Sequence, residues 1–130
     1  MKLGVIGTGA ITRSMLAEYQ CCDKFEIQAI CSRKEETGRA MAEAFSIPRV
    51  YTSLPDMLAD PQIEIVYVAT PNSIHFSQAK AALLAGKHVI CEKPFTPHSS
   101  TLESFLPNNA TISFTSCKYS GLKENWSGLV

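Results

Sequence analysis

The chain has 130 residues, 45% of them hydrophobic, which suits one domain with a modest core of its own. Its formal net charge is zero and it has no basic run, which argues against a nucleic-acid partner. Its apolar runs are shorter than the roughly 20 residues that span a bilayer, so we expect no membrane segment.

The cysteines argue against a secreted or metal-binding protein. The five are odd in number, none forms a C-x-x-C pair, and Cys31 and Cys91 lie in apolar runs, where cysteine is typically a small buried hydrophobe. We therefore predict no metal site and a cytoplasmic location. The first residues could pass for a signal peptide, but the apolar stretch is short and no small-residue cleavage site follows it.

The first half of the chain alternates apolar runs with amphipathic segments. We predict buried strands at residues 3–6 and 26–31 and a short edge strand at 49–51. Ser32 can cap the second helix, with Glu35 in capping-box position. The apolar faces predicted for the two intervening helices are Ile11, Met15, Leu16 and Tyr19, then Ala40, Met41, Ala44 and Phe45.

The second half continues the alternation. Ser53 can cap a short helix that begins near Leu54, and residues 63–69 form the strongest predicted strand, apolar on both faces apart from Glu64. Gly86 is the expected C-terminal cap of the next helix, and residues 88–91 predict a fifth strand. The apolar residues of that helix are Phe76, Ala79, Leu83 and Leu84.

This order of elements predicts an α/β fold. Repeated strand–helix units with short connections call for a parallel sheet with right-handed crossovers. We expect a Rossmann-like, doubly wound sheet of order 3-2-1-4-5. Ligands bind such a sheet beyond the carboxyl ends of the strands, where the order reverses, so the loops after Ile6, Ala69 and Cys91 should converge.

The stretch GTGAIT, residues 7–12, opens the first helix. Gly7 and Gly9 match the first two glycines of G-x-G-x-x-G: the first permits a tight turn, and the second lets a pyrophosphate approach the backbone at a helix N-terminus. Thr12 replaces the third glycine, which serves helix–strand packing. The context after a strand predicts dinucleotide binding; the alternative is that the glycines merely make a turn.

The residues after the second strand bear on the choice of cofactor. NAD-binding proteins usually carry Asp or Glu there for the ribose 2′-hydroxyl, whereas this chain has Ser32, Arg33 and Lys34 before its first acid. A hydroxyl followed by two cations suits a 2′-phosphate, so we predict NADP in preference to NAD. The alternative is that both cations are ordinary solvated residues.

Two further stretches follow the fourth and fifth strands. Pro71 makes a rigid turn, Asn72 or Ser73 can cap the next helix, and His75 falls in its first turn, either as a surface residue or as a neighbour of cofactor and substrate. Lys93 follows the fifth strand, beside the expected nicotinamide. There a lysine can stabilise developing oxygen charge or help proton transfer; the alternative is a solvated lysine leaving a strand.

Together, G-x-G-x-x, A-T-P-N-x-x-H and E-K-P at these spacings resemble the glucose–fructose oxidoreductase/inositol dehydrogenase/rhizopine-catabolism (Gfo/Idh/MocA) family of dehydrogenases, over Met1 to about Pro97. The resemblance implies NAD(P)-dependent hydride transfer to or from sugars, cyclitols or related polyols, with Lys93 as the catalytic residue. The predicted cofactor-binding residues are Gly7, Thr8, Gly9, Ala10, Ile11, Ser32, Arg33, Lys34, Thr70, Pro71, Asn72, His75, Glu92, Lys93 and Pro94.

The chain departs from the family pattern after residue 97. Family members usually continue into a long helix, a strand and an α+β substrate domain, whereas Pro107 would end a helix early here and only residues 110–115 alternate like a strand. Charged residues number 4 of 36 from Phe95 onward, against 20 of 94 before it. We predict a Rossmann domain at 1–97 and a divergent tail at 98–130, either a truncated or frameshifted product or a genuine variant terminus.

Two functional hypotheses follow. The first is an NADP-preferring oxidoreductase represented by its cofactor-binding domain and inactive alone; the polyol substrate and any oligomer would belong to a form with the C-terminal substrate domain, which is missing here. The second is a non-catalytic nucleotide-binding module, such as a sensor or partner subunit. A different ligand, such as S-adenosylmethionine, is disfavoured by the lack of an acid at Ser32 and by Lys93.

Overall fold

A computed structural model describes residues 1–70, 72–92 and 112–115, with the backbone alone at 72, 73, 75, 92 and 112–115. Strands and helices alternate from the N-terminus to the fifth strand, as the sequence predicts. The elements are β1 (Lys2–Ile6), α1 (Ala10–Tyr19), β2 (Glu26–Cys31), α2 (Glu35–Phe45), β3 (Arg49–Tyr51), α3 (Leu54–Leu58), β4 (Ile65–Val68), α4 (Asn72–Leu84), β5 (His88–Glu92) and β6 (Ile112–Thr115).

The strands form one parallel sheet of order β3-β2-β1-β4-β5-β6. The predicted order 3-2-1-4-5 and the Rossmann-like fold class are therefore confirmed. The sheet also includes β6, which lies beyond residue 97 and pairs in parallel with β5. The order reverses between β1 and β4, where the chain turns from building one half of the sheet to building the other.

The sheet is covered on both faces. Val5 packs with residues of α1 and α2, whereas its neighbour Ile6 packs with residues of α3 and α4, because successive strand residues point to opposite faces. All four residues of β4 are fully buried, which is expected of a central strand between two helical layers. The strand is shorter than predicted, and Glu64 lies outside it, where its carboxylate accepts a hydrogen bond from the Lys2 backbone.

Some predicted helix faces are wrong at single positions. Ile11 is 50% exposed and Thr12 is fully buried in its place, because the first turn of α1 sits on the sheet through Thr12. Ala40 and Ala44 of α2 are exposed, and Gly38 and Ala42 take the inner positions beside Met41. At the end of α4, Leu84 is 63% exposed, whereas Ala79, Ala82 and Leu83 are buried.

The helix caps follow the sequence only in part. Ser32 does not cap α2: the helix begins at Glu35, Lys34 occupies the N-cap position, and no side chain caps it. Ser53 does occupy the N-cap position of α3, but its hydroxyl makes no capping hydrogen bond. Gly86 has φ 79° and its N–H donates to the Leu83 carbonyl oxygen, so the predicted C-terminal cap of α4 is confirmed.

A buried lysine holds the connection between α3 and β4. Lys87 is 8% exposed, and its Nζ donates to the carbonyl oxygens of Asp60 at 2.9 Å and Ile63 at 2.7 Å. The Asp60 oxygen also accepts from the Ile63 N–H at 3.2 Å. The lysine thus adds a donor to each of two buried carbonyl groups in this turn. The Asp60 carboxylate in turn accepts the hydroxyl proton of Tyr51 at 2.7 Å, which ties this turn to β3.

The described cysteines form no disulfide bond, and Cys31 and Cys91 are buried as predicted. Burial raises the pKa of both thiols, that of Cys91 to about 12, because a thiolate would lose its hydration there. Burial of both side chains agrees with the packing role expected from the sequence. Within the described residues, no helix has the length and apolar character needed to cross a membrane.

Candidate functional site

The carboxyl ends of the central strands are aligned. Ile6 pairs with both Cys31 and Val68, and Val68 pairs with Cys91. The segments that leave β1, β2, β4 and β5 therefore start from one edge of the sheet, at the point where the strand order reverses. This alignment supports the predicted convergence of the loops, with the loop after β4 starting one residue earlier than expected.

Gly7 occupies the tightest point of this edge. Its φ is 111°, a conformation that favours glycine, and a β-carbon there would lie 2.7 Å from the carbonyl oxygen of Ala69. Its N–H donates to the Cys31 carbonyl oxygen at 3.0 Å, while the Ala69 N–H donates to the Ile6 carbonyl oxygen at 3.0 Å. The glycine thus joins the ends of β1, β2 and β4 in one turn.

Gly9 has a different role. Its φ is −80° and ψ is −175°, which other residues also adopt, and nothing lies within 4 Å of a β-carbon built on it. It is the N-cap residue of α1, with no side chain capping the helix. The first N–H groups of a helix lack intrahelical partners and favour an anion. Open space at this end fits a pyrophosphate, which a side chain at position 9 would displace.

The neighbours of Gly9 face outward. Thr8 is half-buried, and Ala10 and Ile11 are exposed at the start of α1. Thr12, in place of the third glycine, is fully buried, which agrees with a packing role, and its Oγ1 has no hydrogen-bond partner. The predicted lining residues are thus accessible at the helix N-terminus, and Thr12 is set apart from them beneath the helix.

The residues after β2 divide into one buried and two exposed. Ser32 is 6% exposed, its N–H donates to the Tyr51 carbonyl oxygen, and its Oγ lies 2.7 Å from Thr37 Oγ1. Arg33 and Lys34 are exposed and precede α2. The two cations are therefore accessible at the sheet edge, whereas the serine hydroxyl already has a partner. Thr37 was not singled out from the sequence.

The first acid after the two cations is Glu35. Glu35 lies in the first turn of α2 and accepts a hydrogen bond from Arg39 one turn later, at 2.5 Å. The carboxylate is thus directed along the helix by a neighbouring cation rather than toward the capping position we expected. Because no acid stands between Cys31 and Lys34, the arrangement suits a 2′-phosphate better than a ribose hydroxyl.

The segment after β4 is held by an unexpected partner. The hydroxyl of Thr70 donates to Oε1 of Gln78, which lies well inside α4. Gln78 was missed because this contact spans a turn whose path no sequence pattern specifies. Helix α4 begins at Asn72, so Asn72 and Ser73 both lie inside it and neither takes the predicted N-cap position. His75 falls in the first turn as predicted.

The remaining predicted residues are Pro71, Glu92, Lys93 and Pro94. Glu92 is the last residue of β5 and its backbone lies at the same sheet edge, paired with Thr115. Pro71, Lys93 and Pro94 lie outside the described residues. Among the residues that the structure does describe, no group of three His, Cys, Asp or Glu residues could hold a metal ion.

Comparison with known proteins identifies related sequences. A family model described as "Oxidoreductase family, NAD-binding Rossmann fold", named for Gfo, Idh and MocA, matches residues 1–107. The chain is 38% identical over 109 residues to D-xylose 1-dehydrogenase (NADP(+)) of Hypocrea jecorina, covering 74% of this chain and 28% of that protein. It is 31% identical over 106 residues to scyllo-inositol 2-dehydrogenase (NADP(+)) of Bacillus subtilis, covering 82% and 32%.

Solved structures share the same architecture. KijD10, a 3-ketoreductase from Actinomadura kijaniata solved with NADP and TDP-benzene, matches with a TM-score of 0.76 at 31% identity, over 81% of this chain and 33% of that one. Apo scyllo-inositol dehydrogenase from Lactobacillus casei matches with a TM-score of 0.78 at 22% identity, over 88% and 36%, which shows the fold alone. The chain spans about a third or less of the length of these relatives.

Proposed function

Since the chain belongs to the Gfo/Idh/MocA oxidoreductase family, we propose that it is the cofactor-binding part of an NADP-preferring dehydrogenase. The reaction is hydride transfer to or from a sugar, cyclitol or related polyol. The proposed location of the protein is the cytoplasm, where reduced thiols such as the exposed Cys21 are stable.

The open helix N-terminus at Gly9 is the observation that carries the proposal. Nothing lies within 4 Å of a β-carbon built on Gly9, which comes three residues after the end of β1 and directly before α1. A dinucleotide laid across this edge would put its pyrophosphate on the free N–H groups of α1 and its adenosine half toward Arg33. The nicotinamide half would then run toward the ends of β4 and β5.

The preference for NADP depends on Arg33 and Lys34. Both are exposed at the end of β2, where a 2′-phosphate would lie, and an arginine binds phosphate with two parallel donors. Both of the relatives described above carry NADP(+) in their names, and KijD10 was solved with NADP. These relatives support the same cofactor here, with NAD as the weaker ligand.

Lys93 is the residue we propose for the chemistry. It directly follows Glu92, which ends β5 at the cofactor edge. A lysine beside the nicotinamide can donate a hydrogen bond to the substrate oxygen on which charge develops and can assist its proton transfer. The hydride itself passes between the substrate carbon and the nicotinamide, and the cofactor supplies that chemistry.

The substrate class comes from the two relatives described above, whose names specify D-xylose and scyllo-inositol. The chain spans about a third or less of such proteins, so we propose that it binds cofactor without measurable turnover. Orienting the substrate supplies a large part of enzymatic rate enhancement, and the walls that orient it would come from a second domain.

Titration and turnover assays test these statements separately. The purified chain should bind NADPH more tightly than NADH in calorimetric titrations, and it should not reduce NADP⁺ with any of a panel of sugars and cyclitols. A chimaera carrying a relative's substrate domain should turn over at least one of them. In that chimaera Lys93→Ala should lower kcat far more than cofactor affinity. Equal or better affinity for NADH, or full activity without Lys93, would contradict the corresponding assignment.

A further inference from the structure

The turn from β2 to α2 contains two hydroxyl groups that bond to each other. Ser32 Oγ lies 2.7 Å from Thr37 Oγ1, and Thr37 Oγ1 donates to the Lys34 carbonyl oxygen at 3.0 Å. A hydroxyl carries a single proton to donate. Because Thr37 uses its proton for Lys34, Ser32 must be the donor between the two hydroxyls. The Ser32 proton is therefore not available to a ligand.

This direction of donation separates Ser32 from the phosphate-binding groups. Phosphate oxygens at neutral pH are strong acceptors and need donors around them. Ser32 has no spare proton in this arrangement and is 6% exposed, so it cannot serve as such a donor without breaking its bond to Thr37. The side-chain donors accessible to a 2′-phosphate here are those of Arg33 and Lys34, the two exposed residues that directly follow Ser32.

Gly38 keeps the turn closed. A β-carbon on Gly38 would lie 2.8 Å from Val50 Cγ1 and 3.1 Å from Ser32 Cβ, so the first turn of α2 packs directly on the end of β2. The Gly38 N–H also donates to the Lys34 carbonyl oxygen at 3.1 Å. That oxygen thus accepts from both the helix backbone and Thr37. The close packing at Gly38 is what brings Thr37 within reach of Ser32.

We infer that Thr37 is a positioning residue for NADP selection, an inference that rests on the proposed function. By linking Ser32 to the Lys34 carbonyl group, Thr37 holds the backbone between them, from which both cationic side chains project. A 2′-phosphate then meets a turn that is already ordered, and avoids the cost of ordering it on binding. NADH has no 2′-phosphate, so its affinity should not depend on Thr37.

Thr37→Val tests the inference, since it keeps the side-chain shape and removes the hydroxyl, while Thr37→Ser keeps the hydroxyl. NADPH and NADH are titrated into the full chain and each variant, and thermal melting checks the fold. Thr37→Val should lower NADPH affinity about tenfold and leave NADH affinity unchanged, and Thr37→Ser should retain the preference of the original chain.

Ser32→Ala and the double variant Ser32→Ala/Thr37→Val complete the test. If the two hydroxyls act as one chain, their effects on NADPH affinity are non-additive. Additive effects would mean that Ser32 contacts the phosphate itself. An unchanged ratio of NADPH to NADH affinity in Thr37→Val would show that the turn is ordered without the Thr37 hydroxyl. Either result overturns this inference but leaves the proposed function intact. If the original chain binds neither dinucleotide, the proposed function fails, and the inference with it.

Discussion

Gly7 and Ala69 approach so closely that a β-carbon on residue 7 would stand 2.7 Å from the Ala69 carbonyl oxygen. This contact joins the ends of β1 and β4 at the reversal of strand order. It also separates the two glycines of the motif by physical role. Gly7 is required by the fold, since it combines this contact with a positive φ, whereas the space at Gly9 is open.

Gly7→Ala should therefore destabilise the chain. The new side chain meets both an unfavourable φ of 111° and the Ala69 carbonyl group, and we expect a loss of about 2 to 4 kcal/mol in the free energy of unfolding. Urea denaturation followed by circular dichroism measures it. Gly9→Ala is the matched control and should change stability by less than about 1 kcal/mol. Equal losses in both variants would contradict the distinction.

Gly9→Val should have the opposite effect: a normal fold and no cofactor binding. The backbone at Gly9, with φ −80°, accepts a β-branched residue, but the side chain would occupy the space where the pyrophosphate must approach the helix. Circular dichroism should be unchanged while NADPH titration gives no heat. If a folded Gly9→Val chain binds NADPH with the original affinity, the glycine loop is only a strand–helix turn and has no role in binding the pyrophosphate.

Arg33→Ala should weaken NADPH binding by about 1.5–3 kcal/mol, the usual value of a hydrogen bond to a charged group. NADH affinity should change little, because the contact is with the 2′-phosphate. Arg13→Ala, at an exposed position on α1, is a control for the general loss of positive charge. The effect of Arg33 should also shrink at high salt, since exposed charges are screened. Parallel losses for both cofactors would remove Arg33 from the specificity site.

Lys87→Met should destabilise the fold although the two side chains are of similar length. It removes the hydrogen bonds that Lys87 Nζ donates to the Asp60 and Ile63 carbonyl oxygens, although the Asp60 oxygen keeps the bond from the Ile63 N–H. We expect a loss of about 2 to 4 kcal/mol in unfolding free energy. Lys24→Met, at an exposed position, should change it by less than about 0.5 kcal/mol. A neutral Lys87→Met would show that the apolar stem alone holds this turn.

Asp60 should make the stability of the fold depend on pH in the acidic range. The Tyr51 hydroxyl, the Gln62 N–H and Arg49 lower the pKa of Asp60 to about 2, below the unfolded reference of about 3.9. The carboxylate therefore stabilises the fold above the unfolded pKa, and this contribution is lost as the pH falls toward 2. Asp60→Asn should lower stability at pH 7 and flatten its decline between pH 4 and 2, whereas Asp23→Asn, at an exposed position, should leave stability at pH 7 unchanged.

Local patterns predicted the fold well and the site less completely. Residues 26–31 form a strand with the predicted bounds, because β-branched and small apolar residues dominate this stretch and Ser32 follows it. Ile11 was misassigned because helical spacing cannot distinguish a core position from one that faces a ligand at a helix N-terminus. The partners Thr37 and Gln78 were missed because their bonds depend on how a turn folds back, which residue types alone do not determine.

The contact between Gly7 and Ala69 also links cofactor binding to the order of folding. The two residues are far apart in the sequence, so the turn at Gly7 is complete only after β4 has joined β1. Pairing of this kind closes a long loop and is slow relative to local helix formation. A dinucleotide can therefore recognise only a chain whose central strands have assembled. Cofactor binding should therefore stabilise the native state. Above saturation, each tenfold rise in the free cofactor concentration should add about 1.4 kcal/mol to the free energy of unfolding.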